Sequence, residues 1–236
     1  MDIISIRALT MKYLEPFLTQ HGFVVKLNKS NEAQIRRQEK EGFDSIGIDM
    51  LNYDPSYRIR YGFNKVNSLV SSIMLNLQEK VKLNFKEEKN SRLLFFSYNT
   101  INDPENTSYL PMMESETDVQ TCVRMMIAFM EETAFPLLQK FEDLGEIDKM
   151  INGEDPWETD WHRPITFVTN FYEKRLIIAK LAGNPNFDEL VDFNYKTLEK
   201  LSAENGSPFV YDRNDLSKPL PVLINILNET ESLVKR

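Results

Sequence analysis

Tyr57-Arg58-Ile59-Arg60-Tyr61-Gly62-Phe63 alternates apolar and polar side chains, and this period of two decides how the first half of the chain is read. Successive side chains of an extended strand point to opposite faces, so Tyr57, Ile59, Tyr61 and Phe63 share one face while Arg58 and Arg60 share the other. One dry side and one wet side mark an antiparallel sheet covered on a single face. Upstream, Phe23–Leu27, Gln34–Glu39 and Phe43–Asn52 read as further strands, and Asp54-Pro55-Ser56 supplies turn residues for a hairpin before Tyr57. Downstream, Arg92–Tyr98 is a fifth segment, dense in Leu and Phe. The expectation is a four- or five-stranded, mainly antiparallel meander over 23–98.

Helical spacing brackets these strands. Ile3, Ile6, Thr10, Tyr13, Leu14 and Phe17 fall on one face of a helix over 3–20, which Pro16 is expected to kink or restart and Gly22 to stop. Val66, Leu69, Val70, Ile73 and Leu77 predict a second helix over 64–79, and both helices are expected against one face of the sheet. The Asn-, Pro-, Ser- and Thr-rich stretch 99–114 reads as a linker loop, and everything after it as helical. Ser115-Glu116-Thr117-Asp118 has the form of a helix start. It precedes a stripe of Val119, Cys122, Val123, Met126, Ile127 and Met130, whose far end Pro136 disturbs. Asp155 with Glu158, and Asn186 with Glu189, have capping-box spacing. Ile165–Leu181, apolar on more than one side, predicts a buried central helix, and Leu220, Leu223, Ile224 and Leu227 a final amphipathic one. The fold class is therefore α+β, with a sheet half (1–98), a linker (99–114) and an all-helical half (115–236). One compact unit over 1–236 is expected, because the linker is short and Met112-Met113 would otherwise be exposed.

The charge excludes several partners. The 236 residues carry 28 Lys and Arg against 36 Asp and Glu, a net of -8, so the field of the whole protein repels phosphate backbones and anionic lipid. Neither nucleic acid nor a membrane is an expected partner. The richest apolar stretch, Cys122–Met130, contains Arg124 and falls well short of the roughly 18 residues that cross a bilayer. A single cysteine cannot form an intramolecular disulfide, and Met1-Asp2-Ile3-Ile4-Ser5 has neither the basic region nor the apolar run of a secretory signal. A cytoplasmic location is the expectation.

Chemistry is sparse. The eight glycines never cluster, so no phosphate loop is read, and no cofactor is expected. Gly42 and Gly47 read as hairpin glycines instead. Only His21 and His162 could serve a nucleophile as base. Cys122 lies inside an apolar stripe, where a small thiol packs as core, and His21 sits at a helix end, where an imidazole suits the dipole. Metal sites built from Cys and His are excluded by count, leaving carboxylates. A calcium loop beginning at Asp148 fails because Met150 and Thr159 stand where oxygen ligands are required. An alternative is a divalent-metal-dependent hydrolase using Asp49 or Asp54 with Glu87-Glu88-Lys89.

The strongest signal is electrostatic. From Glu142 to Asp160 eight carboxylates face only Lys149. Helix caps and solvated surface explain some of them. The functional reading is a docking face for a basic protein partner, formed by Glu142, Asp143, Glu146, Asp148, Glu154 and Glu158, with Trp157 and Trp161 as its apolar centre. An amphipathic helix with Leu14 and Phe17, then His21-Gly22-Phe23 and short alternating strands, resembles several bacterial α+β families known only as domains of unknown function. It is also similar to immunity-type proteins of bacterial toxin systems. The likeness covers about the first hundred residues and transfers no catalytic position. It implies a non-enzymatic acidic protein that neutralises a basic partner.

Overall fold

A computed structural model describes residues 1–81, 93–97, 110–153, 171–203 and 219–230. Its elements run α1 (Ile3–Gln20), β1 (Val24–Leu27), β2 (Ala33–Glu39), β3 (Gly42–Tyr53), β4 (Ser56–Asn67), α2 (Ser68–Val81), β5 (Leu94–Ser97), α3 (Glu116–Phe129), a π-helical turn (Met130–Ala134), α4 (Phe135–Lys140), α5 (Leu144–Asn152), α6 (Phe171–Ala182), α7 (Phe187–Ala203) and α8 (Pro219–Asn228). The strands form one antiparallel sheet in the order β1-β2-β3-β4-β5, and the class is α+β as the alternation at 57–63 indicates. Among the described residues no strand follows Ser115, and no helix is long and apolar enough to cross a membrane.

The chain divides into two compact units whose boundaries do not fall at 99–114. The first contains Met1–Val66 and Leu94–Lys140, so α3 belongs with the sheet. The second contains Asn67–Leu93 and, from Phe141 onward, α5 to α8.

In the first unit α1 is capped by the Asp2 carboxylate, which accepts from the Ser5 amide at 2.7 Å. The helix runs through Pro16 without restarting, because Ile6, Met11, Leu14 and Leu18 anchor it on both sides of the lost hydrogen bond. It stops where expected. Gly22 takes φ +80°, its amide donates to Thr19 O and the Phe23 amide reaches Leu18 O, satisfying carbonyls that a helix end leaves open. α3 begins with a reciprocal capping box between Ser115 and Asp118. Pro136 acts one turn further on. A proline inside a helix donates no bond and crowds the carbonyl four residues back, and the chain widens here into a π turn in which the Phe135 amide bonds to Met130 O. The inward residues of α1 and α3 meet Ile35, Ile46, Ile59, Tyr61, Phe63 and Phe96 of the sheet in one core.

Two expectations about the following segment need correction. Residues 64–67 continue β4 instead of opening a helix, since Lys65 pairs with Leu94 across the ladder. The Asn67 side chain then caps α2 by accepting from the Leu69 and Val70 amides at 3.1 and 3.0 Å. α2 itself packs on α6 and α8 within the second unit, whereas α1 is grouped with the sheet in the first. On the outer face of β4, a Cβ at position 62 would lie 2.5 Å from the Phe95 ring, and glycine leaves room for that ring to approach the strand.

In the second unit α6 is buried on all sides, charged residues included, as a central helix should be. Its expected beginning, residues 165–170, lies outside the described residues. α7 opens after Asn186 as the capping spacing predicts, α8 buries Leu220, Leu223 and Leu227, and the helix start predicted at Asp155 lies outside the described residues.

Candidate functional site

The loop between β3 and β4 is two residues, Asp54 and Pro55, so Tyr53 stands opposite Ser56. Counting back along the two strands places Asp49 opposite Arg60 and Asp44 opposite Lys65, and both pairs are joined. Arg60 Nη2 lies 2.9 Å from Asp49 Oδ2 on the wet face. Lys65 Nζ donates to Asp44 Oδ1 at 2.9 Å on the dry one. The second pair is the notable one, because the Asp44 side chain is wholly buried and that of Lys65 is 7% exposed. Arg37 on β2, opposite Asp44 in the register, donates to its other oxygen at 2.8 Å. The Arg37 guanidinium stands over the rings of Phe23 and Phe135, and its Nε lies 2.8 Å from Glu39 Oε1, off the line of a hydrogen bond. Lys65 completes its own shell by donating to Leu138 O at 3.0 Å. Every oxygen of the buried carboxylate is thus met by a cation, the condition under which a buried charge is tolerated.

A second buried cluster is assembled by α5, α6 and the loop after α6. Leu144, Ile147, Asp148 and Ile151 share the inner face of α5, which carries Asp148 inward with the apolar residues. Its two oxygens accept from Asn152 Nδ2 and Asn184 Nδ2, each at 2.7 Å. Arg175, 1% exposed, donates from Nε to Asn152 Oδ1 and stands over the rings of Phe171 and Phe193. Burial lifts the Asp148 carboxyl above its ordinary value of 3.8, outweighing the two amide donors and the Arg175 charge, which pull the other way. A proton is therefore held more tightly in the folded state than in the unfolded one. The penalty of the charged form is fully present at neutral pH and fades as pH falls toward 3.8. Urea unfolding of wild type and Asp148→Asn at pH 7 and pH 4.5 should show the stability of wild type rising relative to the variant on acidification.

Of the described residues expected on the docking face, the structure removes Asp148 alone. Glu142 and Asp143 are exposed in the turn before α5, where the Asp143 side chain caps the helix by accepting from the Gly145 amide at 2.8 Å. Glu146 is partly exposed and pairs with Lys149. Asp148 belongs to the buried cluster and presents nothing to a partner. Glu154, Trp157, Glu158 and Trp161 lie outside the described residues. Asp148 to Asn152 is helical, which also removes the basis for a calcium loop starting there.

The remaining candidates resolve into structural roles. Cys122 is buried, with its thiol pushed up to about 11 by burial first and by the Asp118 charge second, so it packs as core and holds no thiolate near neutral pH. His21 is the C-cap of α1, its ring 4.5 Å from Phe17 and 4.9 Å from Phe135. On the outer sheet face Arg36 covers Phe43 and Arg58 covers Tyr53. Among the described residues no three His, Cys, Asp or Glu side chains stand together as a metal-binding group. Asp49 is engaged by Arg60, Asp54 is exposed at the hairpin tip, and Glu87, Glu88, Lys89 and His162 lie outside the described residues. The buried Asp44 and Lys65, with the half-buried Arg37, were hidden by the helix expected from residue 64. Extending the inward phase of Tyr57 to Phe63 by one step would have placed Lys65 in the core. No protein-family model matches the chain, and no curated protein or solved structure shows significant similarity to it.

Proposed function

We propose that this protein is a non-enzymatic binding module that recognises a basic protein partner through its acidic segment, as an immunity-type protein neutralises a basic toxin. The observation that carries the reading is the exposure of Glu142 and Asp143 at the head of a stretch with eight carboxylates and a single lysine. Dense like charge on a surface is unfavourable for the isolated fold, and a cationic partner relieves it while drawing the two proteins together. Among the described residues the surface contribution comes from Glu142, Asp143 and Glu146; Glu154 and Glu158 belong to the same acidic stretch of the sequence. Asp148 is excluded by burial, and Asp143 doubles as a helix cap.

The test begins with affinity capture from the native host and purification of the captured protein. Binding is then measured for wild type and for Glu142→Gln/Glu146→Gln/Glu154→Gln, which spares the cap and the buried carboxylate. A control, Glu131→Gln/Glu132→Gln, removes exposed charge from the π turn. The first variant should bind about tenfold more weakly and the control nearly as tightly as wild type. Equal affinity in all three, or equal loss from the control, would refute a local docking face.

A further inference from the structure

Three of the points at which the chain passes between its compact units fall among the described residues: Val66 to Asn67, Leu93 to Leu94, and Lys140 to Phe141. All three adjoin Lys65. It lies one residue before Val66 at the first, and it is the ladder partner of Leu94 at the second. Its ammonium holds the Leu138 carbonyl two residues before the third. Leu138 lies in the last turn of α4, where carbonyls lack a helical partner and a cation is favoured. Packing alone does not require lysine here, since a buried pair can be replaced by apolar residues of similar volume without loss of stability. What an apolar side chain cannot do is reach a carbonyl on α4 while being fixed by Asp44 on β3, itself fixed by Arg37 on β2.

We infer that the Asp44–Lys65 pair is a conformational pin, which ties the three exits of the sheet unit to the β2–β3–β4 ladder and so fixes the place from which the chain departs at Phe141. The acidic stretch begins at the next residue, yet the inference stands on the sheet unit alone and does not depend on the binding reading.

Amide hydrogen exchange tests it in the full chain. In wild type the amides of 94–97 and 138–142 should open only together with the β3–β4 ladder, a measurement that needs no variant. In Asp44→Leu/Lys65→Met, which removes both charges of the pair and leaves Arg37 beside Glu39, those amides should exchange about tenfold faster while Ile6–Met11 on α1 and Leu176–Leu181 on α6 stay near their wild-type rates. Unchanged exchange at the exits would reduce the pair to a packed charge with no pinning role. Uniform acceleration across the protein would show a global loss of stability, and it too would overturn the inference. Independent opening of the exits in wild type would do the same.

Discussion

Lys65→Met is expected to cost about 3–5 kcal/mol, because it leaves a wholly buried Asp44 carboxylate with one oxygen uncompensated. Asp44→Leu should be similarly damaging, since it strands Lys65 with only the Leu138 carbonyl and removes the ion that steadies Arg37. The pair together is another matter. Asp44→Leu/Lys65→Met removes both charges and should lose less than either single variant, within about 1 kcal/mol of wild type. Chemical denaturation of the four proteins at pH 7 measures this cycle. Additive losses would mean that the two groups are energetically independent despite their 2.9 Å contact.

Phe63→Ala should cost about 3–5 kcal/mol, by lost apolar burial and by the cavity it leaves. Phe63 is fully buried. Its ring stacks on Phe96 at 5.3 Å, meets the edge of Tyr61 at 5.8 Å and leans on Phe129 at 5.9 Å, so one truncation disturbs β4, β5 and the end of α3 together. Phe63→Leu keeps much of the volume and should lose well under half as much. The comparison is a urea titration of the three proteins. A small loss for Phe63→Ala would mean that the sheet and α3 close over the gap.

Phe63 also shows what was legible in the sequence. The alternation from Tyr57 assigns it to the core with no further information, strand identity and the antiparallel class follow from the same periodicity, and the hairpin follows from the turn residues Asp54-Pro55-Ser56. Helix ends were readable where a side chain or a glycine sets them, as at Ser115 and Gly22, and the start of α7 fell after Asn186 as the spacing indicated. The helix expected over 64–79 was misplaced because Val66 and Val70 satisfy a strand and a helix equally. The deciding bonds, Lys65 to Leu94 across the ladder and the Asn67 cap, depend on a partner strand that spacing within the segment does not reveal.

The acidic segment was legible as composition and only in part as surface. Counting charge treats Asp148 like its neighbours, whereas the i, i+3, i+4 spacing of Leu144, Ile147 and Ile151 carries it to the inner face of α5. Its two amide partners lie at Asn152, one turn on, and at Asn184, which only the folded chain brings near. The division into two units was not readable from the linker composition either, because contacts between α3 and α1 outweigh the break at 99–114.

Whether the surface carboxylates steer a basic partner is decided most directly by the rate of association. Exposed charges are screened over about 8 Å at physiological ionic strength, so steering is lost as salt rises, while short-range contacts that govern dissociation change less. Stopped-flow mixing of the captured partner with wild type and with Glu142→Gln/Glu146→Gln/Glu154→Gln at low and high salt reads this without reference to overall affinity. The account predicts fast, salt-sensitive association for wild type, slower and flatter association for the variant, and similar dissociation for both. Association equally fast in the two proteins and indifferent to salt would contradict it.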